Sequence, residues 1–432
     1  MNSLLHEILA AREARAQRQQ QLLCQFGVPL ICFTMNIAGP VKDSPLIRRG
    51  FEAGLSLLDE KLTNIVFRDT VYAATGCEGY FSVDADASAI KEICTAIEDS
   101  CPLGRLFDMD VLATDGTKLE RQASRSCLIC GKAGRFCAAS RAHSVEQLQQ
   151  TTQRILTEHF APLDAERVAS LAVQALLDEV HTTPKPGLVD ENNCGSHDDM
   201  DIPLFTASAH ALRPFFKRCV LLGQQAIDQD TFPLLRAAGI EAEKQMFAAT
   251  AGVNTHKGAI YTLGILCGAV GRLWRADAPF APAECILQEA GAMTAPYAKA
   301  DLAAITAPKT AGERLYQTFG LTGIRGEAAA GFPSIANISL PLYRQLRSSG
   351  KSKNDAAATT LLHLIAEVDD TTLYHRGGKD GAEFAKSAAA AILPTPTPAQ
   401  LRLLDKKFIE MNLSPGGCAD LLAATLLLDS LE

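Results

Sequence analysis

Residues 183–201 read Thr-Pro-Lys-Pro-Gly-Leu-Val-Asp-Glu-Asn-Asn-Cys-Gly-Ser-His-Asp-Asp-Met-Asp, a dense run of polar chemistry between rigid punctuation. Pro184 and Pro186 fix φ, Gly187 and Gly195 permit sharp turns, and five carboxylates with His197 follow. Clustered carboxylate oxygens suit a hard divalent cation. Lys185, held between two prolines, is placed to meet the phosphates that such a cation would carry. Asp190, His197, Asp198 and Asp201 are the better ligand candidates and Asp199 a solvated bystander, although spacing does not say which of them point inward.

Four further glycine-rich islands follow, at 252–258, 322–327, 369–378 and 412–420, each at an expected helix end. Helix N-termini offer unpaired amides to phosphate and glycines let an anion approach the backbone, so several such ends could build a polyphosphate pocket. Asn254, His256, Lys257, Arg325, Asp369, Asp370 and Arg376 are its candidate side chains. The plainer alternative is that each Gly is a C-cap and each Asp an N-cap. Caps do not require His, Arg and paired acids beside the glycine, and these islands have them.

Before residue 160 the sharpest motif is Gly-Arg-Leu-Phe-Asp-Met-Asp-Val at 104–111. Asp108 and Asp110 at i and i+2 of a strand share a face and could hold magnesium over a transferring phosphoryl group, with Arg105 beside them. Surface strands carry such pairs by chance, but Leu106, Met109, Val111 and Leu112 point to a buried strand. Lys42 in Gly-Pro-Val-Lys, with Arg48 and Arg49, could meet a pyrophosphate leaving group or could simply be solvated. Cys127, Cys130, Cys137 and His143 could hold a structural zinc ion. Their spacing fits no common finger, and a cysteine is often only a small buried hydrophobe.

The elements that must position these groups change character along the chain. Up to about residue 150, strand signals at 30–35, 66–74, 79–83 and 105–112 alternate with helical spacing at 4–26, 44–58 and 87–97, which predicts an α/β or α+β domain. From 164 onward long Ala- and Leu-rich segments at 164–180, 204–227, 260–274, 355–368 and 418–431 predict a nearly all-helical one. The expected fold is therefore multidomain, divided into 1–160 and 161–432, with a break between helical segments at Phe160-Ala161-Pro162. Thirteen cysteines, an odd number, without a signal peptide argue for reduced thiols or a metal site in a cytoplasmic protein. No run of about twenty apolar residues predicts a membrane span. A net charge of −8 argues against nucleic acid as a partner.

The five islands in this order resemble the triphosphoribosyl-dephospho-coenzyme A synthases of the citrate lyase system, from about residue 165 to the C-terminus. That resemblance implies a reaction in which a ribose hydroxyl of dephospho-coenzyme A attacks the anomeric carbon of ATP, adenine departs and the triphosphate stays attached. Asp190, His197, Asp198 and Asp201 would then serve the ribose and catalysis, with Asp198 and Asp201 on magnesium. Asp369 and Asp370 would join them around metal and ribose, and Lys185, Lys257, Arg325 and Arg376 would grip phosphates. Residues 1–160, through Arg-Glu-Ala-Arg-Ala-Gln-Arg at 12–18, Lys42, the Asp108/Asp110 motif and Arg-Ser-Cys-Leu-x-Cys at 125–130, resemble the phosphoribosyl-dephospho-coenzyme A transferases that mature citrate lyase. That resemblance implies a nucleotidyltransferase-like domain. It would transfer the group to a serine of the citrate lyase acyl carrier protein, the gamma subunit, with release of pyrophosphate and with Asp108 and Asp110 holding magnesium. Two alternatives are the same chemistry serving malonate decarboxylase, and a regulatory protein that binds ATP without turning it over.

Overall fold

The computed structural model describes residues 2–225, 230–308 and 310–432. They divide into two compact units, Met1–Ala161 with Ala276–Ala278, and Pro162–Arg275 with Pro279–Glu432.

In the first unit the elements are α1 (Asn2–Phe26), β1 (Leu30–Met35), α2 (Pro45–Lys61), β2 (Ile65–Val71), β3 (Glu78–Val83), α3 (Ala87–Ser100), a 3-10 turn (Pro102–Leu106), β4 (Phe107–Leu112), α4 (Gly134–Ser140) and the start of α5 (Val145–His181). The sheet is antiparallel throughout, in the order β2-β3-β1-β4. Strand pleating divides its residues. Phe33, Phe107, Met109 and Val111 are fully buried, and the Phe33 ring meets the rings of Phe51 on α2 and Phe107. On the opposite face Leu30, Cys32 and Leu112 pack under Leu22 and Leu23 of α1. Asp110 lies opposite Cys32 and Asp108 opposite Thr34, so the acids continue this second face beyond that apolar patch. The expected buried acidic strand is corrected accordingly: its apolar side is buried, whereas Asp108 is exposed and Asp110 half-buried. Arg105, expected on the strand, lies in the 3-10 turn before it. Ser44 caps α2 by accepting the Ile47 N–H at 3.2 Å, and Pro45 follows at the first helical position.

In the second unit the remainder of α5 is followed by α6 (Ile202–Ala211), α7 (Arg213–Gln225), α8 (Thr231–Ala249), α9 (Lys257–Leu273), α10 (Ala283–Ala303), α11 (Ala311–Phe319), α12 (Gly323–Ala329), a π turn (Ile335–Ser339), α13 (Leu340–Ser348), α14 (Lys353–Glu367), α15 (Thr371–Ala390), α16 (Pro398–Glu410) and α17 (Gly416–Ser430). α9 and α17 are buried around most of their circumference, as helices without a polar face must be. Two sequence expectations change here. α5 continues through Pro162, which breaks no helix although the two units part at that point. The helix expected over 204–227 is two, α6 and α7, joined at Leu212, and its last two positions lie outside the described residues. Among the described residues no helix is long and apolar enough to cross a membrane.

α7 and α9 pack backbone to backbone. A Cβ at Gly271 would overlap the Val220 carbonyl oxygen, and one at Gly223 the Gly268 carbonyl oxygen. Gly271→Ala is therefore expected to force the helices apart and cost about 2–3 kcal/mol. The urea midpoint followed by Trp274, the single tryptophan, checks this. An unchanged midpoint would show that the crossing can open without cost.

Candidate functional site

Each unit carries its own candidate site. In the first, Asp108 and Asp110 face a cavity of about 1030 Å³. Lys91, Arg105, Lys118, Arg121 and Arg125 also line it, with Glu98 behind them. The buried Glu98 carboxylate accepts the Met109 N–H at 2.8 Å and pairs with Arg125 at 2.5 Å and Arg121 at 3.5 Å. Arg125 also donates to the Phe107 carbonyl at 2.5 Å, and Lys91 to the Met109 carbonyl at 3.0 Å. Asp110 pairs with Lys118 at 2.6 Å. Desolvation, and then the neighbouring Asp110 charge, raise the Asp108 carboxyl above the ordinary carboxylate value. A bound cation would relieve both effects.

Asp108 also lines a smaller cavity of about 180 Å³ with Arg12, Arg15, Thr34 and Lys42. Lys42 donates to the Ile37 carbonyl, and burial followed by Arg12 lowers its ammonium. Arg48 pairs with Asp43 at the surface, and Arg49 lies 4.1 Å over the Phe160 ring. Cys127, Cys130, Cys137 and His143 converge at one edge of the larger cavity, with one ligand atom from each inside a 4.8 Å sphere of mutual distances. They could hold a metal ion. Backbone N–H donors from Cys130 and Ile129 lower the Cys127 thiol to about 6, whereas the contact with Cys130 raises Cys137 to about 11.

In the second unit a cavity of about 270 Å³ opens at the first turn of α9, lined by Glu179, Lys185, His197, Asn254, His256, Lys257, Ser414 and Asp420. Lys185 is 1% exposed and donates to the Glu179 side chain at 2.5 Å and to the Glu179 carbonyl at 2.7 Å. His256 is buried, with Nδ1 2.7 Å from the Ser208 hydroxyl and Nε2 lacking a hydrogen-bond partner. Asp420 fills the space left by the missing side chain of Gly258. Burial, then the Glu179 and Asp370 charges, push its carboxyl well up. His197 shares a hydrogen bond of 3.0 Å with Ser414, and Arg376 stands 3.3 Å from its other nitrogen. Burial and then Arg376 hold that imidazole below its usual value. Lys257 and Gly258 also line an adjoining cavity of about 690 Å³ with Arg236, Glu243, Asp301, Glu313 and Arg325.

Several expected site residues have other partners. Asp190 is buried and accepts the N–H groups of Lys185, Asn192 and Asn193 and the Thr183 hydroxyl, so its oxygens shape the loop. Asp201 is the N-cap of α6. Asp198 is exposed and lines neither cavity, like the bystander Asp199. Asp370 caps α15 through the Thr372 and Leu373 N–H groups and accepts the Cys418 N–H at 2.8 Å, tying α15 to α17. Asp369 pairs with Lys386 at 2.6 Å. Arg376 donates to the Ser196 carbonyl at 2.6 Å and supports His197 from outside the cavity. Lys185, expected to grip phosphate, would have to leave Glu179 to do so. Glu179 and Asp420 were not singled out from the sequence. Glu179 follows Ala172 and Leu176 on the apolar stripe of α5, where an acid is out of place, and that was the available signal.

Two polar cavities thus lie in separate compact units, one with paired acids among cations and one at a helix N-terminus. A family model described as ATP:dephospho-CoA triphosphoribosyl transferase matches residues 165–432, and one described as apo-citrate lyase phosphoribosyl-dephospho-CoA transferase matches residues 3–159. The chain is 35% identical to Protein CitXG of Haemophilus influenzae, over 98% of this chain and 95% of that protein. It is 34% identical to Protein CitXG of Leuconostoc mesenteroides, over 98% and 96%. A probable 2-(5''-triphosphoribosyl)-3'-dephosphocoenzyme-A synthase of Vibrio cholerae is 43% identical over 60% of this chain and 87% of its own length. The chain belongs to the family in which these two transferases are fused, and it makes and transfers triphosphoribosyl-dephospho-CoA for the citrate lyase prosthetic group. The apo-citrate lyase match favours that system over malonate decarboxylase, and the transferase families favour catalysis over ATP sensing.

Burial, and then Lys185, lower the His256 imidazole from 6.5 to about 3. The unfolded chain therefore binds this proton at a higher pH than the folded one, so His256 makes the second unit lose stability as pH falls from about 6.5 towards 3. His256→Gln is expected to flatten that dependence, read as urea midpoints of Trp274 fluorescence at several pH values. An unchanged slope would show that this imidazole is not held neutral by burial.

Proposed function

We propose that the two reactions occupy the two units separately, with ATP turned over at the start of α9 and the carrier serine modified beside Asp108 and Asp110. The observation that carries the first half is the collection of Glu179, Lys185, His197, His256 and Asp420 in one cavity of about 270 Å³ beside a second of about 690 Å³. With Asp420 protonated and His256 neutral, the Lys185–Glu179 pair leaves the smaller cavity nearly uncharged, which suits a sugar and a base. The triphosphate then extends past the first turn of α9 into the larger cavity, toward Lys257, Arg236 and Arg325. Magnesium accompanies the phosphates, and Glu243, Asp301 and Glu313 are the acids near them. Asp198 and Asp201, proposed from the sequence for this metal, have no such position. Asp420 is placed to donate the proton that departing adenine needs, and the neutral His197 to accept the one lost by the attacking hydroxyl.

In the first unit the pair Asp108 and Asp110 carries the reading. These acids would hold magnesium, which when bound stabilises charge on the phosphates, in a nucleotidyltransferase-like role. Arg125, Arg105 and Lys91 surround the larger cavity, while Arg12 and Lys42 reach the smaller one across Asp108, a suitable place for departing pyrophosphate. The acceptor is the acyl carrier protein of citrate lyase, its gamma subunit, in the cytoplasm where ATP and dephospho-CoA are found. Cys127, Cys130, Cys137 and His143 hold structural zinc.

Two variants test the division. Asp108→Asn is expected to lower carrier modification by about 100-fold or more and leave adenine release unchanged. Asp420→Asn is expected to lower adenine release by a similar factor. It should not lower stability at neutral pH. An acid whose folded pKa is raised loses stability as pH climbs above its unfolded value, and Asn removes that loss. Adenine release by chromatography and the mass of the carrier protein measure the two activities. With pre-made triphosphoribosyl-dephospho-CoA supplied for the carrier assay, loss of both activities in either variant would sink the separation.

A further inference from the structure

We infer that the metal held by Cys127, Cys130, Cys137 and His143 builds one wall of the transferase cavity, so that metal loading governs carrier modification without governing ATP turnover. This rests on the transferase reading of the first unit and adds a control point to it. Between residues 113 and 144 the only regular element is the short α4, and Cys137 is the only buried residue. Phe136, the one large aromatic of this stretch, is 66% exposed. A segment that buries so little apolar surface has no core of its own to fix it, which is the situation that a structural metal resolves.

Its backbone turns tightly around the thiols. The Cys127 N–H donates to the Lys132 carbonyl at 2.5 Å, the Gly131 N–H donates back to the Cys127 carbonyl at 3.2 Å, and Gly131 takes a positive φ of 71°. Ser126 and Ala133 close this turn as a bridge. Cys130 and Cys137 bring their sulfurs to 3.4 Å, and the buried Nε2 of His143 has no hydrogen-bond partner. Three sulfurs and an imidazole in this arrangement are a tetrahedral zinc donor set.

Two arginines connect the turn to the acidic strand. Arg105, one residue before the strand's first neighbour, donates to the Ser126 carbonyl. Arg125 precedes the turn directly, accepts the Gly134 N–H on its carbonyl at 3.0 Å and extends its side chain to Glu98 and the Phe107 carbonyl. Release of the ions' common anchor would free Arg125, Arg105 and the cavity wall together, next to Asp108 and Asp110. The second unit contributes nothing to this cluster, so adenine release should not respond.

The full chain, purified under reducing conditions, is expected to contain on the order of one zinc ion. Cobalt substitution should give the thiolate charge-transfer and visible bands of a tetrahedral site. With pre-made triphosphoribosyl-dephospho-CoA and unmodified carrier protein, removal of zinc by a chelator should lower carrier modification at least about tenfold, with recovery on adding zinc back. Adenine release should change by less than about twofold. Cys130→Ser and His143→Asn should behave like the chelated protein. Zinc-free protein that modifies the carrier at the full rate overturns the inference and leaves the transferase reading standing. Zinc-loaded protein that cannot modify the carrier overturns the transferase reading itself. If zinc removal abolishes adenine release as well, the effect is not confined to this wall, and the inference fails.

Discussion

The second site depends on a buried charge pair. Lys185 is removed from water in a proline-stiffened turn, and Glu179 in the last turn of α5 is its counter-ion. A lone buried ammonium would cost several kcal/mol, so the loop cannot place Lys185 without α5 placing Glu179. Once the pair is fixed, its field shapes the neighbours: the lysine discourages a proton on His256, and the glutamate encourages one on Asp420. Burial is the larger cause of both shifts, and the charge pair adds to it in the same sense at each group. On the proposed reading the phosphates lie farther out, where Lys257 and Arg325 are still partly exposed to solvent and can change partners.

The surrounding loop is rigid for a related reason. Asp190 collects donors from its own loop, Asp405 accepts the Gly187 N–H at 2.9 Å and the Asn193 amide at 2.8 Å, and Ser196 donates to the Leu413 carbonyl at 2.6 Å. Each buried acceptor satisfies backbone or amide donors that would otherwise be left unpaired. The polar density that marks residues 183–201 is therefore largely the cost of folding an irregular segment inside helices, and only Lys185 and His197 of the expected set face the cavity.

Much of the fold was legible because it rests on local signals. The strand at 30–35 was marked by an apolar run ended by Gly39-Pro40, helical spacing marked α2 and α3, and the Ala- and Leu-rich segments mark the long helices. The break at Pro162 was misleading, since a proline inside a long helix removes one hydrogen bond without ending the helix. The site was less legible. Asp201 and Asp370 have the same residue types and the same positions before a helix whether they cap it or bind a ligand, and only tertiary contacts separate the two uses. Glu179 was hidden for the opposite reason, since it stands within an apolar helix and its partner is an island away. The cysteines and His143 were visible as a group because soft ligands at short spacing are rare by chance, and here the coordinates bring them together.

The two sites solve opposite electrostatic problems. At Asp108 and Asp110 two acids lie side by side at the rim of a cavity, where Lys118, Arg125 and Lys91 oppose the upward shift of Asp108 and a cation could complete the neutralisation. At the start of α9 burial instead pushes the Asp420 carboxyl well up. The first arrangement suits phosphoanhydride chemistry, in which charge on oxygen must be balanced. The second suits departure of a purine from a sugar, in which a proton must be delivered and the phosphates left alone. On the proposed division, separate compact units of one chain keep these environments apart, so that each can be built without compromising the other.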